Sequence, residues 1–423
     1  MSEALAVPVG QLIPRRAERV VEEATADTRA VRINGARQSG KSTLARQIAR
    51  RHNAVWKSFD DPQTLAAAHF DPADIVDSDR MVVIDEVQRY PDILLPIKLR
   101  VDENPRPGSF LLTGSAQVMG LRSVPDALPG RVETVELWPL SQGEIDSAPD
   151  GFIDAVFTDA TAVSVTSDLA KPDYAARIVR GGFPEAVTRT GRRRSMFLRN
   201  YVADLINRDV TQVAEIQRGP EFRTILQRLA AQASGLLVLA NLANATGLSK
   251  TTVSRYVAVM QEVFLAKLIP AWSRGPSSRA TKTPKLAFVD SGIAARLIGH
   301  DEHSLLRSGA PLGPLLEGFV TMELARQATW SMTEVQVLHY RTKDQDEVDI
   351  VLEDLRGHVV GIEIKASSMV RGDDFNGLRH LAERAGDDFL AGIVLYAGRT
   401  TVSFGRPFKA MPISAVWQTI CPQ

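Results

Sequence analysis

Four short apolar runs open the chain, with helical patterns between them. Residues 30–33 (AVRI), 54–59 (AVWKSF), 81–85 (MVVID) and 109–114 (SFLLTG) read as the buried strands of a parallel sheet. Residues 146–172 are rich in Ala, Ser, Thr and Asp and predict a loop or domain boundary. From 173 to about 270 the periodicity is helical, and residues 271–285, with Gly275, Pro276 and Pro284, form a polar, basic connection. Beyond residue 300, a helix at 314–328 precedes strand patterns at 335–341, 347–352, 359–366 and 390–396. The expected organisation is a parallel-sheet α/β domain (1–165), a helical region (166–299) and a second α/β domain (300–423).

A chain of 423 residues is too long for one compact core. Fifty basic residues balance fifty acidic ones, so no overall field favours a polyanion and any such site must be local. The single Cys421 excludes an internal disulfide framework and a cysteine-ligated zinc site. No apolar run reaches the roughly 18 residues of a membrane span, and the first residues lack a signal-peptide pattern. These features predict a cytoplasmic protein with no membrane partner.

The first strand runs into Gly35-x4-Gly40-Lys41-Ser42 and then an amphipathic helix. Such glycines let backbone amides turn toward a phosphate, and the helix N-terminus adds partial positive charge. Gly35, Gly40, Lys41 and Ser42 are therefore expected to bind a nucleotide. Lys41 would reach the β- and γ-phosphates and Ser42 would ligate Mg²⁺. The strand MVVID ends in Asp85-Glu86, with Asp85 expected on Mg²⁺ and Glu86 on the attacking water. Thr113 and Ser115 end the next strand, where polar groups would sense the γ-phosphate. Arg131 would supply positive charge to a transition state, in its own site or a neighbour's; the alternative is a plain surface arginine.

GARQSGKST, FDDP, IDEVQRYPDI, LLTGSAQ, LPGRVETVELWPLSQGE and RGGFPEA together resemble the predicted AAA+ superfamily ATPases of bacteria and archaea. YVADLINRDV, KLAFVDSGIAARLIG and GPLLEGFVTMEL extend the resemblance over almost the whole chain. The resemblance implies an AAA-type module joined to a C-terminal domain of unknown function, with ATP bound at Gly35, Ala36, Arg37, Gln38, Ser39, Gly40, Lys41, Ser42 and Thr43 and at Asp85, Glu86 and Ser115. It also implies a further sheet strand between the strands that carry Lys41 and Asp85.

The stretch VLANLANATGLSKTTVSRYVAVMQEVF has a helix-turn-helix layout, with a first helix at 239–245, Gly247 in the turn and Ser249 as N-cap. Val253, Tyr256 or Val257, and Met260 would face inward, leaving Lys250, Thr251, Ser254 and Arg255 to a DNA groove. Seven Lys/Arg against Glu262 between Lys250 and Lys285, and five arginines against Asp204 in residues 191–208, supply local positive charge. A protein-interaction or lid element of winged helix-turn-helix type would show the same layout.

In EVDIVLEDLRGHVVGIEIKAS, a turn at Arg356-Gly357 joins two strands and sets Asp349 opposite Glu363 and Glu347 opposite Lys365. Facing carboxylates about 5 Å apart repel by roughly 3 kcal/mol at an effective dielectric near 20, and a divalent cation would turn that repulsion into binding. The pattern Asp-x13-Glu-x-Lys resembles the PD-(D/E)xK nuclease fold, which implies Asp349 and Glu363 on Mg²⁺ and Lys365 on the hydrolytic water. That fold also implies an acid on a preceding helix, either Glu317 or Glu323. No Pro precedes Asp349, and no later Gln or Lys completes the pattern; an idle, structural site is the alternative.

The expected function is a Mg²⁺-dependent ATPase acting on or with DNA through a winged-helix region and a nuclease-like domain. The alternative is a nucleotide-operated signalling or scaffold switch with a protein partner; a homo-oligomer fits either reading.

Overall fold

The structure is a computed structural model that describes residues 11–115, 130–210, 219–279, 282–342 and 344–421. Strands β1 (Ala30–Gly35), β2 (Val55–Ser58), β3 (Val82–Asp85), β4 (Phe110–Ser115) and β5 (Val132–Glu136) form a parallel sheet in the order β2-β3-β4-β1-β5. β4 lies between β1 and β3, the position implied for the further strand. Both faces are covered at the centre of the sheet, so β3 and most of β1 and β4 are buried, while the edge strands β2 and β5 carry the polar Lys57, Glu133 and Thr134. Helices α1 (Ala17–Asp27) and α2 (Lys41–Arg51) bury Val21, Leu44 and Ile48 with Ile33, Val83 and Leu111. On the other face α3 (Leu94–Glu103) buries Leu94, Ile97 and Val101 with Ile84, Phe110 and Leu112.

The stretch expected as a loop differs in the structure. After the short α4 (Gln142–Asp146), residues Phe152–Asp159 form helix α5, with Phe152, Ile153 and Val156 buried. Its polar Asp and Thr positions hid a stripe of apolar residues at helical spacing. The segment lies along the C-terminal part of the chain. The Asp150 amide donates to Trp417 O (3.0 Å), the Gly151 amide to Thr419 O (2.9 Å) and the Ser167 amide to Arg399 O (2.8 Å). Lys409 Nζ donates to Ala160 O (2.6 Å) and Val163 O (2.9 Å).

Helices α6 (Lys171–Arg180), α7 (Gly191–Asp204) and α8 (Gly219–Ala231) lead to α9 (Leu239–Thr246) and α10 (Lys250–Glu262). Gly247 takes φ +71° in the turn, and Ser249 Oγ accepts from the Thr252 amide at 3.0 Å, as the N-cap expectation required. Val253, Tyr256, Val257, Val259 and Met260 are buried, while Lys250, Thr251, Ser254 and Arg255 are exposed. Strands β6 (Ala266–Ile269) and β7 (Lys285–Phe288) then pair antiparallel.

After α11 (Ser291–Leu297) and α12 (Leu312–Gln327), strands β8 (Val335–Arg341), β9 (Glu347–Asp354) and β10 (Val359–Lys365) form an antiparallel meander. β11 (Phe389–Tyr396), β12 (Val402–Ser403) and β13 (Phe408–Pro412) complete the sheet order β12-β13-β11-β10-β9-β8. Phe319 and Val320 of α12 share a core with Ile350 and Ile362, and Leu378 and Leu381 of α13 (Asn376–Ala385) share another with Val351 and Val359. The β9–β10 register, Val359↔Glu353 through Ile362↔Ile350, is the one expected for a turn at Arg356-Gly357. Among the described residues no helix is long and apolar enough to cross a membrane.

Candidate functional site

The phosphate loop forms because three positions tolerate unusual backbone. Gly35 ends β1 where an added Cβ would lie 2.2 Å from Leu137 O. Gln38 takes φ +59° and Gly40 φ +99°, after which α2 begins at Lys41, so the loop runs directly into a helix N-terminus. Lys41 Nζ donates to Gly35 O (3.1 Å) and Ala36 O (2.7 Å). Arg15 fastens the loop from outside, donating from Nη1 to Ser39 O at 2.8 Å. Tyr201 of α7 does the same at Arg37 O, at 3.2 Å. Ser39 is buried and Thr43 exposed.

Ser42 Oγ donates to Asp85 Oδ1 at 2.8 Å, and Thr113 Oγ1 donates to the same oxygen. This hydroxyl–carboxylate pair is the hard-oxygen donor set that suits Mg²⁺, so the residues present fit the expected ion. Thr113 is fully buried and fixes Asp85, a role different from the γ-phosphate sensing expected of it. Glu86 sits in the left-handed region (φ +60°), its amide donating to Thr113 Oγ1 at 3.3 Å and its carboxylate accepting from Gln88 Nε2. Ser115 pairs in register with Gly35 at the adjacent strand end; its side chain and residues 116–129, including the end of LLTGSAQ, lie outside the described residues.

Arg131 is not brought to this site. It precedes β5, which runs parallel to β1 with Ala30 opposite Val132, so Arg131 lies at the strand-start edge while the loop leaves the strand ends. There its guanidinium holds Asp102 through Nε–Oδ1 (2.5 Å) and Nη2–Oδ2 (3.1 Å). Instead, a cavity of about 330 Å³ flanks the loop, lined by Arg37, Gln38, Arg189, Arg193, Asn200 and Tyr201. The arginine-rich α7 therefore lies partly against the loop, and Arg194 is buried with Nε donating to Ala186 O at 3.0 Å. Arg189 escaped the sequence reading and Arg193 entered it only as part of a basic patch, because only the fold brings them beside residues 37–38.

A second constellation gathers at the ends of β9 and β10. Continuing the register past Ile362↔Ile350 puts Glu363 beside Asp349, whose Oδ2 accepts from the Ile364 amide at 2.9 Å. Lys365 Nζ donates to Glu363 Oε1 at 2.9 Å, and Glu363 Oε2 is buried without a hydrogen-bond partner. Glu317 of α12 joins them. The position expected for a divalent cation is approached by an ammonium: Lys285 Nζ of β7 lies 2.7 Å from Glu317 Oε1, 2.8 Å from Glu347 Oε1 and 3.6 Å from Asp349 Oδ1. Among the described residues no group of three or more His, Cys, Asp or Glu is arranged to hold a metal ion. Lys285 had been counted as surface charge, and only the folded chain delivers it here.

Burial, then the charge of Asp349, pushes Glu317 up to about 8 and Glu363 up to about 7. Burial also raises Asp349, against the pull of Lys285. Burial opposes the charge on Lys285, but the surrounding carboxylates outweigh it and hold the ammonium far above its ordinary range. Glu323 lies elsewhere. Six residues on from Glu317, it turns to another face of α12, accepting from Arg326 Nη1 (2.5 Å) and the Gln142 amide (2.8 Å).

Residues 27–146 match the AAA domain family. That stretch, which carries the phosphate loop and Asp85-Glu86, is similar to the AAA-type P-loop ATPases. Residues 171–304 and 312–416 match two domains of unknown function, DUF8612 and DUF4143. Uncharacterised proteins of Mycobacterium bovis and Mycobacterium tuberculosis are each 29% identical over 344 residues, covering 80% of this chain and 70% of theirs. Among solved structures, a Walker-type ATPase of Pyrococcus abyssi is 12% identical, covering 69% of this chain and 97% of its own, with a TM-score of 0.41. The Holliday junction branch migration motor of Thermotoga maritima is 20% identical, covering 62% and 91%, with a TM-score of 0.29.

A buried polar chain leads from the AAA domain to α12. Arg15 bridges Ser39 O and Glu144 Oε1 (3.1 Å), and Glu144 and Ser141 cap α4 reciprocally. The next residue, Gln142, gives its amide to Glu323 while its Oε1 accepts from Arg177 (3.0 Å) and Arg180 (2.5 Å). Glu317 lies about 9 Å up the same helix from Glu323.

Proposed function

We propose that this chain is a Mg²⁺-dependent ATPase that works on nucleic acid, its nucleotide state transmitted to a winged helix-turn-helix and a nuclease-like C-terminal domain. The observation that carries the reading is the Ser42–Asp85–Thr113 arrangement beside Lys41 and Glu86. The loop amides and Lys41 bind the triphosphate, Lys41 exchanging the carbonyls of Gly35 and Ala36 for phosphate oxygens. Ser42 and Asp85 would hold Mg²⁺, which neutralises developing charge on the phosphates when bound. Glu86 orients and deprotonates the attacking water.

The division into residues 1–165, 166–299 and 300–423 belongs to this proposal. So does DNA contact, supported by the exposed Lys250, Thr251, Ser254 and Arg255 on α10 and the β6–β7 pair behind it. A cytoplasmic location is supported by the single Cys421. The test is Lys41→Ala: its purified form should lose ATP hydrolysis, and retained wild-type turnover overturns the assignment.

The placement of Lys285 favours a second reading, a nucleotide-operated switch whose nuclease-like centre is idle. A cleavage assay with Mg²⁺, ATP and single- or double-stranded DNA or RNA separates the two. Cutting abolished by Asp349→Ala and Glu363→Ala supports the enzyme; no cutting by the wild type supports the switch.

A further inference from the structure

A cavity of about 730 Å³ lies between residues 271–274 with 282–283 and the C-terminal ends of β8 and α13. Arg274, Lys282, Arg341 and Arg384 line it, against a single acid, Glu383. Arg279 and Lys285, from the same basic connection, are absorbed internally: Arg279 holds Glu353 at 2.5 and 2.7 Å, and Lys285 holds the carboxylates. Around the cavity mouth, Lys282, Arg274 and Arg384 are exposed.

Its inner wall is different in chemistry. Trp272 and Tyr340 meet edge to face there, with ring centroids 5.8 Å apart. Beside them His339 is almost fully buried. His339 Nε2 lies 3.2 Å from Thr283 O, and a carbonyl only accepts, so Nε2 carries the proton. Nδ1 is then a bare acceptor, buried and without a partner. Burial and the nearby Lys285 push this ring down to about 4, so it stays neutral and keeps that lone pair. A buried acceptor of this kind is costly unless a ligand or water donates to it.

We propose that this cavity binds a nucleotide unit, its base against Trp272 and Tyr340 with an N–H donated to His339 Nδ1, and its phosphate on Lys282, Arg341 and Arg384. Its volume is in the range of small-ligand pockets. Aromatic walls take any base by stacking or edge contact, whereas the cationic rim requires the phosphate. The cavity also adjoins the carboxylate centre: Arg341 Nη1 reaches Glu347 Oε2 at 3.1 Å, and Glu347 shares Lys285 with Asp349. A strand seated here would lead its next phosphodiester toward Asp349 and Glu363. This part rests on the nucleic-acid reading given above; the nucleotide itself can be free or part of a strand.

The test is fluorescence anisotropy of a labelled short single-stranded DNA with the full chain, without ATP. The Lys282→Glu/Arg384→Glu variant changes only exposed side chains and is checked by circular dichroism. It should bind about tenfold more weakly, the loss expected for two phosphate contacts. His339→Phe should weaken binding while leaving the salt dependence unchanged. In a Lys41→Ala background, which removes binding at the phosphate loop, dAMP that displaces the strand through the same residues identifies a free nucleotide as an occupant. Displacement only by strands identifies nucleic acid. Unchanged affinity in the cavity variants together with a loss in Lys250→Glu/Arg255→Glu overturns the cavity and leaves the nucleic-acid reading standing. Binding of neither the strand nor dAMP by the Lys41→Ala protein overturns the cavity, and the wild type's failure to bind duplex DNA in addition removes the broader reading.

Discussion

Lys285 and Glu317 meet at 2.7 Å although they belong to different parts of the chain, the one on a strand of the β6–β7 pair and the other on α12. The contact puts a positive charge among carboxylates that would otherwise repel one another. It makes the state of the C-terminal centre depend on where β7 is held.

Removing that charge has a defined cost. Lys285→Met should destabilise the protein by about 3–5 kcal/mol, because the buried carboxylates lose their counter-ion. Mg²⁺ should recover part of the loss in the variant and do little for the parent, as read by thermal unfolding with and without the ion. An identical Mg²⁺ response in both proteins would contradict the account.

The centre also predicts a pH dependence. Glu317 and Glu363, held near 8 and 7, bind protons in the folded state that their unfolded forms release near the ordinary carboxylate value. Their contribution to stability is therefore full at acid pH and declines as pH rises through about 7 to 8. Lys285, shifted upward, stays charged throughout that window. Urea unfolding between about pH 5 and 8 should show this decline, and Glu363→Gln should flatten it. A parent-like slope in the variant would count against the buried-carboxylate explanation.

Glu86→Gln should keep nucleotide binding and lose turnover by about 10²–10⁴-fold, the usual worth of a positioned base. Binding by a fluorescent ATP analogue and phosphate release, measured together, separate the two effects. Lost binding would mean that Glu86 shapes the loop instead.

Arg131→Ala gives a different signature. Because Arg131 holds Asp102 at the strand-start edge, dilute protein should hydrolyse ATP at the parent rate. If a neighbouring copy uses this arginine, the variant falls behind only as concentration rises. A loss independent of dilution would place Arg131 in its own site after all.

The phosphate loop was legible in the sequence because its strand, glycines and helix are contiguous, so spacing alone implies geometry. The same holds for the β9–β10 hairpin, where alternation and the turn at Arg356-Gly357 set the register that puts Glu363 beside Asp349. Lys285 was not legible, since nothing local distinguishes a lysine destined for burial from Lys282, three residues earlier and exposed. Arg193 and Arg194 are adjacent in sequence, yet one lines the cavity beside the loop and the other is buried against Ala186. Helix α5 was hidden by composition, its Asp and Thr sharing the chain with Phe152 and Val156.

The path of residues 150–167 bears on how this chain can be divided. Phe152 and Trp417 share one core, and Lys409 ties β13 to the carbonyls of Ala160 and Val163. A fragment excised at residue 300 would leave that tryptophan's apolar surroundings open and three carbonyl tethers of Lys409 unmade. Such a piece invites aggregation, so biochemical dissection should carry the upstream strip along with the sheet it clothes.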